Sequence, residues 1–248
     1  GLNLTWETLE GVVKHNGPLL TEASGEGDLA WAFTDYDGWR ELELDTHAGL
    51  EAQIAALSDD IAYNNHDIDD GLRSGLLQLE PLLELPLVGE IFRRVEKRWP
   101  GQPRTIVIHE AVRDLIGVMV GDVLEETRRR LDAARPETAE DLRRLDQPVV
   151  AFSEEMVLHL AALRRHLFAH MYRHYKVNRM MSQAGRVMRD LFDLYLNDPG
   201  VLPTDVQAGM QGAGTAESAR HVCDYIAGMT DRFAVEEHRR LFTVQGYF

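Results

Sequence analysis

Cysteine is almost absent: Cys223 is the only one in 248 residues. An internal disulfide is therefore excluded, and the composition fits a reducing compartment, so a cytoplasmic location is expected. Cys223 falls in the apolar-periodic stretch 219–227, where it reads as a small buried hydrophobe rather than a catalytic thiol. Long apolar runs are also missing. None approaches the ~18–20 residues that span a bilayer, and no secretory leader is visible, so no membrane partner is expected. Positive charge is scarce. Lys and Arg total 26 against 41 Asp and Glu, a net charge of −15. A general nucleic-acid binder needs a basic stripe to displace counterions, so that class is disfavoured. A small anionic ligand held by a few local cations stays open. Gly212-Ala213-Gly214 follows no strand and lacks the Lys-Ser/Thr pair of a phosphate loop.

What is present is helical periodicity in a chain that is 44% hydrophobic, enough for a folded core. The fold class expected is all-α. Thr5 caps a short helix that ends at Asn16-Gly17-Pro18. Residues 18–46 read as an irregular acidic and aromatic excursion. Leu50, Ile54, Leu57 and Ile61 set a helix over 47–66. Asp69-Asp70-Gly71 is expected to break the chain before a helix at 72–80. Helices follow at 88–99 and 104–134. The second has Ile108, Val112, Leu115, Ile116, Met119, Val120, Val123 and Leu124 on its apolar side, and a solvated Glu/Arg end at 125–130. A short polar helix lies between Pro136 and Pro148. One long helix is expected from Ser153 to about Tyr175, another over 176–196, and two more close the chain near 218–227 and 231–242.

Two constellations could carry chemistry. Asp59, Tyr63 and Asp67 recur at i, i+4 and i+8, with His66 beside them, so they share one helix face. Two carboxylates, a phenol and an imidazole are costly to bury without partners. They suit a hard cation and a hydroxylated ligand, or simply a solvated acidic face. On the later helix, Arg164, Phe168 and Tyr172 form one stripe and His166, His170 and His174 another. The third His lies ~12 Å along the axis from the first, too far for one ion, so that stripe reads as a basic outer face or an anion or subunit contact. Arg164 with its two rings could be a core edge, or a phosphate cation flanked by rings for a base or sugar.

Four stretches carry a resemblance: GLNLTWETLEGVVKHNGPL, LEAQIAALSDDIAYNNHDIDDGL, LFAHMYRHYKV and GMTDRFAVEEHRRLF. Together they resemble the HD-domain deoxynucleoside triphosphate triphosphohydrolases, in their bacterial dGTPase-like branch. The resemblance implies an all-α fold, a divalent metal (Mg²⁺ or Mn²⁺), and cleavage of a dNTP to a deoxynucleoside and tripolyphosphate by a metal-activated water. Carried onto this sequence, it implies Asp59 as a metal ligand, Asp60 being the neighbour with which it could be confused. Tyr63 and Asp67 would contact the deoxyribose, Asp67 at the 3′-hydroxyl. Arg164 would meet the phosphates and Tyr172 the sugar. Phe168 stands where some relatives carry His.

The family's first His, its His-Asp pair and its catalytic stretch have no counterpart in this chain and are expected upstream of Gly1, where the sequence opens without Met. No catalytic residue is therefore expected within the chain, and on its own it is expected to bind metal weakly and hydrolyse little. Residues 1–80 would continue the metal-binding core and 81–248 would be a helical continuation packed on it as one structural unit. A homo-oligomer is expected from the family and the His stripe. Two other readings remain: a non-catalytic helical regulatory or oligomerisation module, and another HD-type nucleotide phosphohydrolase.

Overall fold

The computed structural model describes residues 2–243. Among them every regular element is helical, and the only β feature is an isolated bridge between Thr21 and Ser24. No described helix is long and apolar enough to cross a membrane. The chain forms two compact units, Gly1–Met171 and Tyr172–Phe248.

The first unit is organised by α1 (Trp6–Lys14), α3 (Leu50–Arg73), α5 (Pro86–Arg98), α6 (Arg104–Ala134) and α8 (Glu154–Leu167). Short helices α2 (Trp31–Thr34), α4 (Leu79–Leu82) and α7 (Ala139–Arg143) lie between them. α3 packs on α1, α6 and α8, and α5 packs on α6. Gly11 of α1 faces Ala52 of α3 so closely that a β-carbon at Gly11 would lie 3.0 Å from that of Ala52. Small residues at this crossing let the two backbones approach. Pro86 starts α5, where its missing N–H costs nothing. Its buried Val88, Ile91, Phe92 and Val95 and the buried Val107, Ala111, Leu115 and Met119 of α6 form much of the core. Asp122 of α6 accepts from the backbone N–H of Ser153 at 2.9 Å and from its hydroxyl at 2.5 Å. Ser153 in turn caps α8.

Charge is buried at the foot of this unit. Glu10 and Lys14 of α1 are 0% and 1% exposed and form an ion pair at 2.7 Å. Glu10 also accepts from Arg143 of α7 at 2.9 Å and from the Gly49 N–H at 3.1 Å. Lys14 donates to the Thr46 hydroxyl at 2.9 Å and the Glu43 carbonyl at 3.2 Å. The Trp6 ring lies 5.6 Å from the Lys14 ammonium and 4.9 Å from the Arg143 guanidinium. One carboxylate thus ties α1, the 43–49 loop, the start of α3 and α7 together.

The second unit holds α9 (Tyr175–Asn197), α10 (Thr204–Gln207), α11 (Ala216–Ala227) and α12 (Asp231–Phe242). Val187, Leu191 and Tyr195 of α9 form a core with Leu202, Val222, Ile226 and Ala234. His238 of α12 is joined to Asp190 of α9 at 2.8 Å. Burial raises the Tyr195 phenol well above its ordinary pKa, with Glu237 and Tyr225 adding to the effect.

The all-α expectation holds, with four local corrections. α3 does not break at Asp69-Asp70-Gly71 but runs on to Arg73, so the helix expected at 72–80 reduces to α4 after a turn. Asp69 gains an i,i+4 pair with Arg73 at 2.8 Å. Gly71 is kept for contact, since a β-carbon there would fall 2.4 Å from Leu77 and 3.0 Å from the Met171 sulfur. The helix from 153 ends its α geometry at Leu167 and continues as one π-helical turn, Phe168–Tyr172. Cys223 is exposed, because Val222 and Ile226 take the inward positions of α11. The 125–130 end is not wholly solvated. Glu126 is buried between Arg129 and Arg130, each at 2.7 Å, and Arg130 also reaches the Pro148 carbonyl.

Two predictions follow from these buried charges. Glu10→Ala strands two cations and is expected to destabilise the protein by about 3–5 kcal/mol, read as a lower urea midpoint. Hydrogen bonds from Arg129 and Arg130 hold the Glu126 carboxyl down at about 2 from an ordinary 4.5. A depressed carboxylate stabilises above its unfolded pKa and loses that contribution as pH falls through the folded one. Melting temperatures measured from pH ~5 down to ~2 should therefore fall less steeply in Glu126→Gln than in the wild type.

Candidate functional site

The Asp59–Asp67 segment lies in the middle of α3, within the first unit. Asp59 and His66 are exposed, Asp67 is half-buried, and Tyr63 is 59% exposed. Asp59 and Asp60 are among the residues lining a cleft of about 1110 Å³ that also touches Glu7, His15, His47 and Gln53.

The helix period places Asp60 and Asn64, rather than Asp59 and Tyr63, towards α8. Arg164 of α8 comes to them: its Nη2 is 3.2 Å from the Asp60 carboxylate and its Nε donates to Asn64 Oδ1 at 3.3 Å. Asn64 is 2% exposed, and its Nδ2 donates to the Asp60 carbonyl at 2.6 Å. Asn65 is fully buried; its Nδ2 donates to the Ile61 carbonyl at 2.8 Å and approaches the Met119 sulfur at 3.2 Å. α3 and α8 thus bring Arg164 within one residue of both Asp59 and Tyr63 in sequence.

Phe168 opens the π turn and is 51% exposed. Tyr172 closes that turn and is half-buried. Because the π turn widens the repeat, Arg164, Phe168 and Tyr172 do not follow a regular α-helical stripe. The His series is also divided. The His166 and His170 rings lie 4.3 Å apart, and burial, then the nearby His170, lowers the His166 pKa. His174 instead caps α9 by accepting from the Lys176 N–H.

A hard divalent cation needs several oxygen ligands. Among the described residues no three His, Cys, Asp or Glu side chains converge to hold one. Asp59 offers a single carboxylate, and Asp60 is engaged by Arg164. The described residues therefore do not complete a metal centre. What sequence reasoning missed is the pairing of Arg164 with Asp60 and Asn64. The signal available was the i, i+4 spacing of Asp60 and Asn64, a second stripe beside the Asp59–Tyr63 one.

Comparison with known proteins adds identity to this geometry. Residues 150–240 match the phosphohydrolase-associated domain model. The chain is 59% identical over 98% of its length to a deoxyguanosinetriphosphate triphosphohydrolase-like protein of Parvibaculum lavamentivorans, of which it covers 61%. Proteins of the same name from a Caulobacter species and from Azorhizobium caulinodans are 53% and 51% identical over 98% of the chain, which covers 61% and 62% of them. The chain thus spans about three-fifths of the length of the curated relatives it matches. Over that span it is similar to the deoxyguanosinetriphosphate triphosphohydrolase-like proteins, and residues 150–240 carry the phosphohydrolase-associated match.

Proposed function

We propose that this chain forms part of a dNTP triphosphohydrolase, a hydrolase that releases a deoxynucleoside and intact tripolyphosphate. One observation carries the reading: the Arg164 guanidinium rests against α3 at Asp60 and Asn64, next to Asp59 and Tyr63. The guanidinium and the carboxylate that this reading assigns to phosphate and to a cation stand on neighbouring positions of two packed helices, which supports it. The relatives' names and the phosphohydrolase-associated match support a phosphohydrolase at the coarser level.

In this reading Arg164 offsets charge on the phosphates. Tyr63 and Tyr172 contact the deoxyribose, Asp67 accepts from the 3′-hydroxyl, and Phe168 supplies an apolar flank. A divalent metal, Mg²⁺ or Mn²⁺, is part of the proposal, with Asp59 as one of its ligands. Residues 1–80 belong to the metal-binding core, and the protein acts in the cytoplasm as a homo-oligomer. A second reading is a non-catalytic helical module, in which no dNTP is turned over.

In the full-length protein, Asp59→Ala is expected to reduce tripolyphosphate release from dGTP by at least about 100-fold. Release at the wild-type rate would remove Asp59 from the metal site. A wild-type protein that cleaves no dNTP would leave the non-catalytic reading.

A further inference from the structure

We propose that Asn64 is the positioning residue for Arg164, fixing the direction in which its guanidinium meets a phosphate; this rests on the triphosphohydrolase reading above. The side chain is 2% exposed, and both ends of its amide are committed. Nδ2 donates to the Asp60 carbonyl one turn earlier at 2.6 Å, which turns Oδ1 outward to α8. Oδ1 accepts the Arg164 Nε–H at 3.3 Å, while Arg164 Nη2 lies 3.2 Å from the Asp60 carboxylate. The Nε/Nη2 edge of the guanidinium is thus docked on α3. Nη1 has no partner among the described residues, and the Arg164 side chain is 51% exposed.

The division of labour follows from chemistry. The Asp60 pair is half-exposed on both sides, and such pairs are weak and easily rotated. A buried amide with a locked flip is a rigid acceptor. Being neutral, it orients the guanidinium without cancelling its charge, so the outward edge retains its strength for a bidentate contact with phosphate oxygens. Replacing this acceptor with a carboxylate would keep an acceptor for Nε, lose the Nδ2 donation to the Asp60 carbonyl, and neutralise the cation. Removing it would keep the charge and lose the aim.

The test uses the full-length protein, dGTP as substrate, and ¹⁵N NMR of the Arg164 Nε–H. Asn64→Ala is expected to lower kcat by about 10- to 100-fold with a smaller change in KM, and to speed exchange of the Nε–H. Asn64→Asp is expected to lower kcat and raise KM, each by about 10-fold, while leaving the Nε–H protected. Asn65→Ala removes a neighbouring buried amide that does not touch Arg164 and controls for loss of fold; it should move neither the KM-to-kcat split nor the Nε–H.

The proposal is overturned if Arg164→Ala is inactive while both Asn64 variants keep wild-type kcat and KM. It is equally overturned if Asn65→Ala reproduces the Asn64→Ala profile. If the wild type releases no tripolyphosphate, the functional reading has failed. The NMR arm still decides the contact, because unchanged Nε–H exchange in Asn64→Ala would refute it.

Discussion

Three carboxamides are buried along α3, and each must find partners or cost stability. Gln53 donates to the Ala48 carbonyl at 2.8 Å and accepts from the Val149 and Val150 N–H groups at 3.0 and 3.1 Å. Asn64 takes the Asp60 carbonyl and Arg164. Asn65 takes the Ile61 carbonyl and lies on the Met119 sulfur. These contacts fix the loop before α8, the end of α8 that carries Arg164, and the middle of α6, while the buried Asn65 Oδ1 has no hydrogen-bond partner among the described residues. α3 is thereby the common frame of the first unit, and the candidate site lies on its central turns. The Glu10 network adds a second anchor at its start, joining α1 and α7 to the Gly49 N–H.

A local exception to helix geometry follows α8. After Leu167 the chain makes a π turn that holds Phe168 and ends at Tyr172. The π turn also contains Met171, whose sulfur packs close to Gly71 of α3. A π turn shifts every following side chain relative to an ideal helix. Two residues proposed to meet the substrate therefore stand in an element whose register departs from the α-helical pattern around it.

The fold class and the long helices were legible because apolar residues recur at helical spacing and caps such as Thr5 and Ser153 mark their starts. The end of α3 was not. Asp69-Asp70-Gly71 has turn chemistry, yet packing of Gly71 against Leu77 and the Asp69–Arg73 pair override it. The π turn was hidden for the opposite reason: residues 153–175 carry nothing that breaks a helix. Cys223 was misplaced because one apolar-periodic stretch contains both inward and outward positions. At the site, the i, i+4, i+8 spacing of Asp59, Tyr63 and Asp67 is visible in the sequence, while the adjacent Asp60–Asn64 stripe has no distinguishing residue type. Asn64 reads as an ordinary polar residue until burial and the approach of α8 reveal its partner. The 59% identical relative, of which the chain spans 61%, bears out the resemblance carried by the four stretches and leaves the reaction as a proposal.

The measurement that bears most directly on the central claim is product analysis. Full-length protein would be incubated with dGTP and a divalent metal, and the phosphorus products followed by ³¹P NMR. The account predicts deoxyguanosine with intact tripolyphosphate. Pyrophosphate or orthophosphate as the first product, or no cleavage of any dNTP, would contradict it.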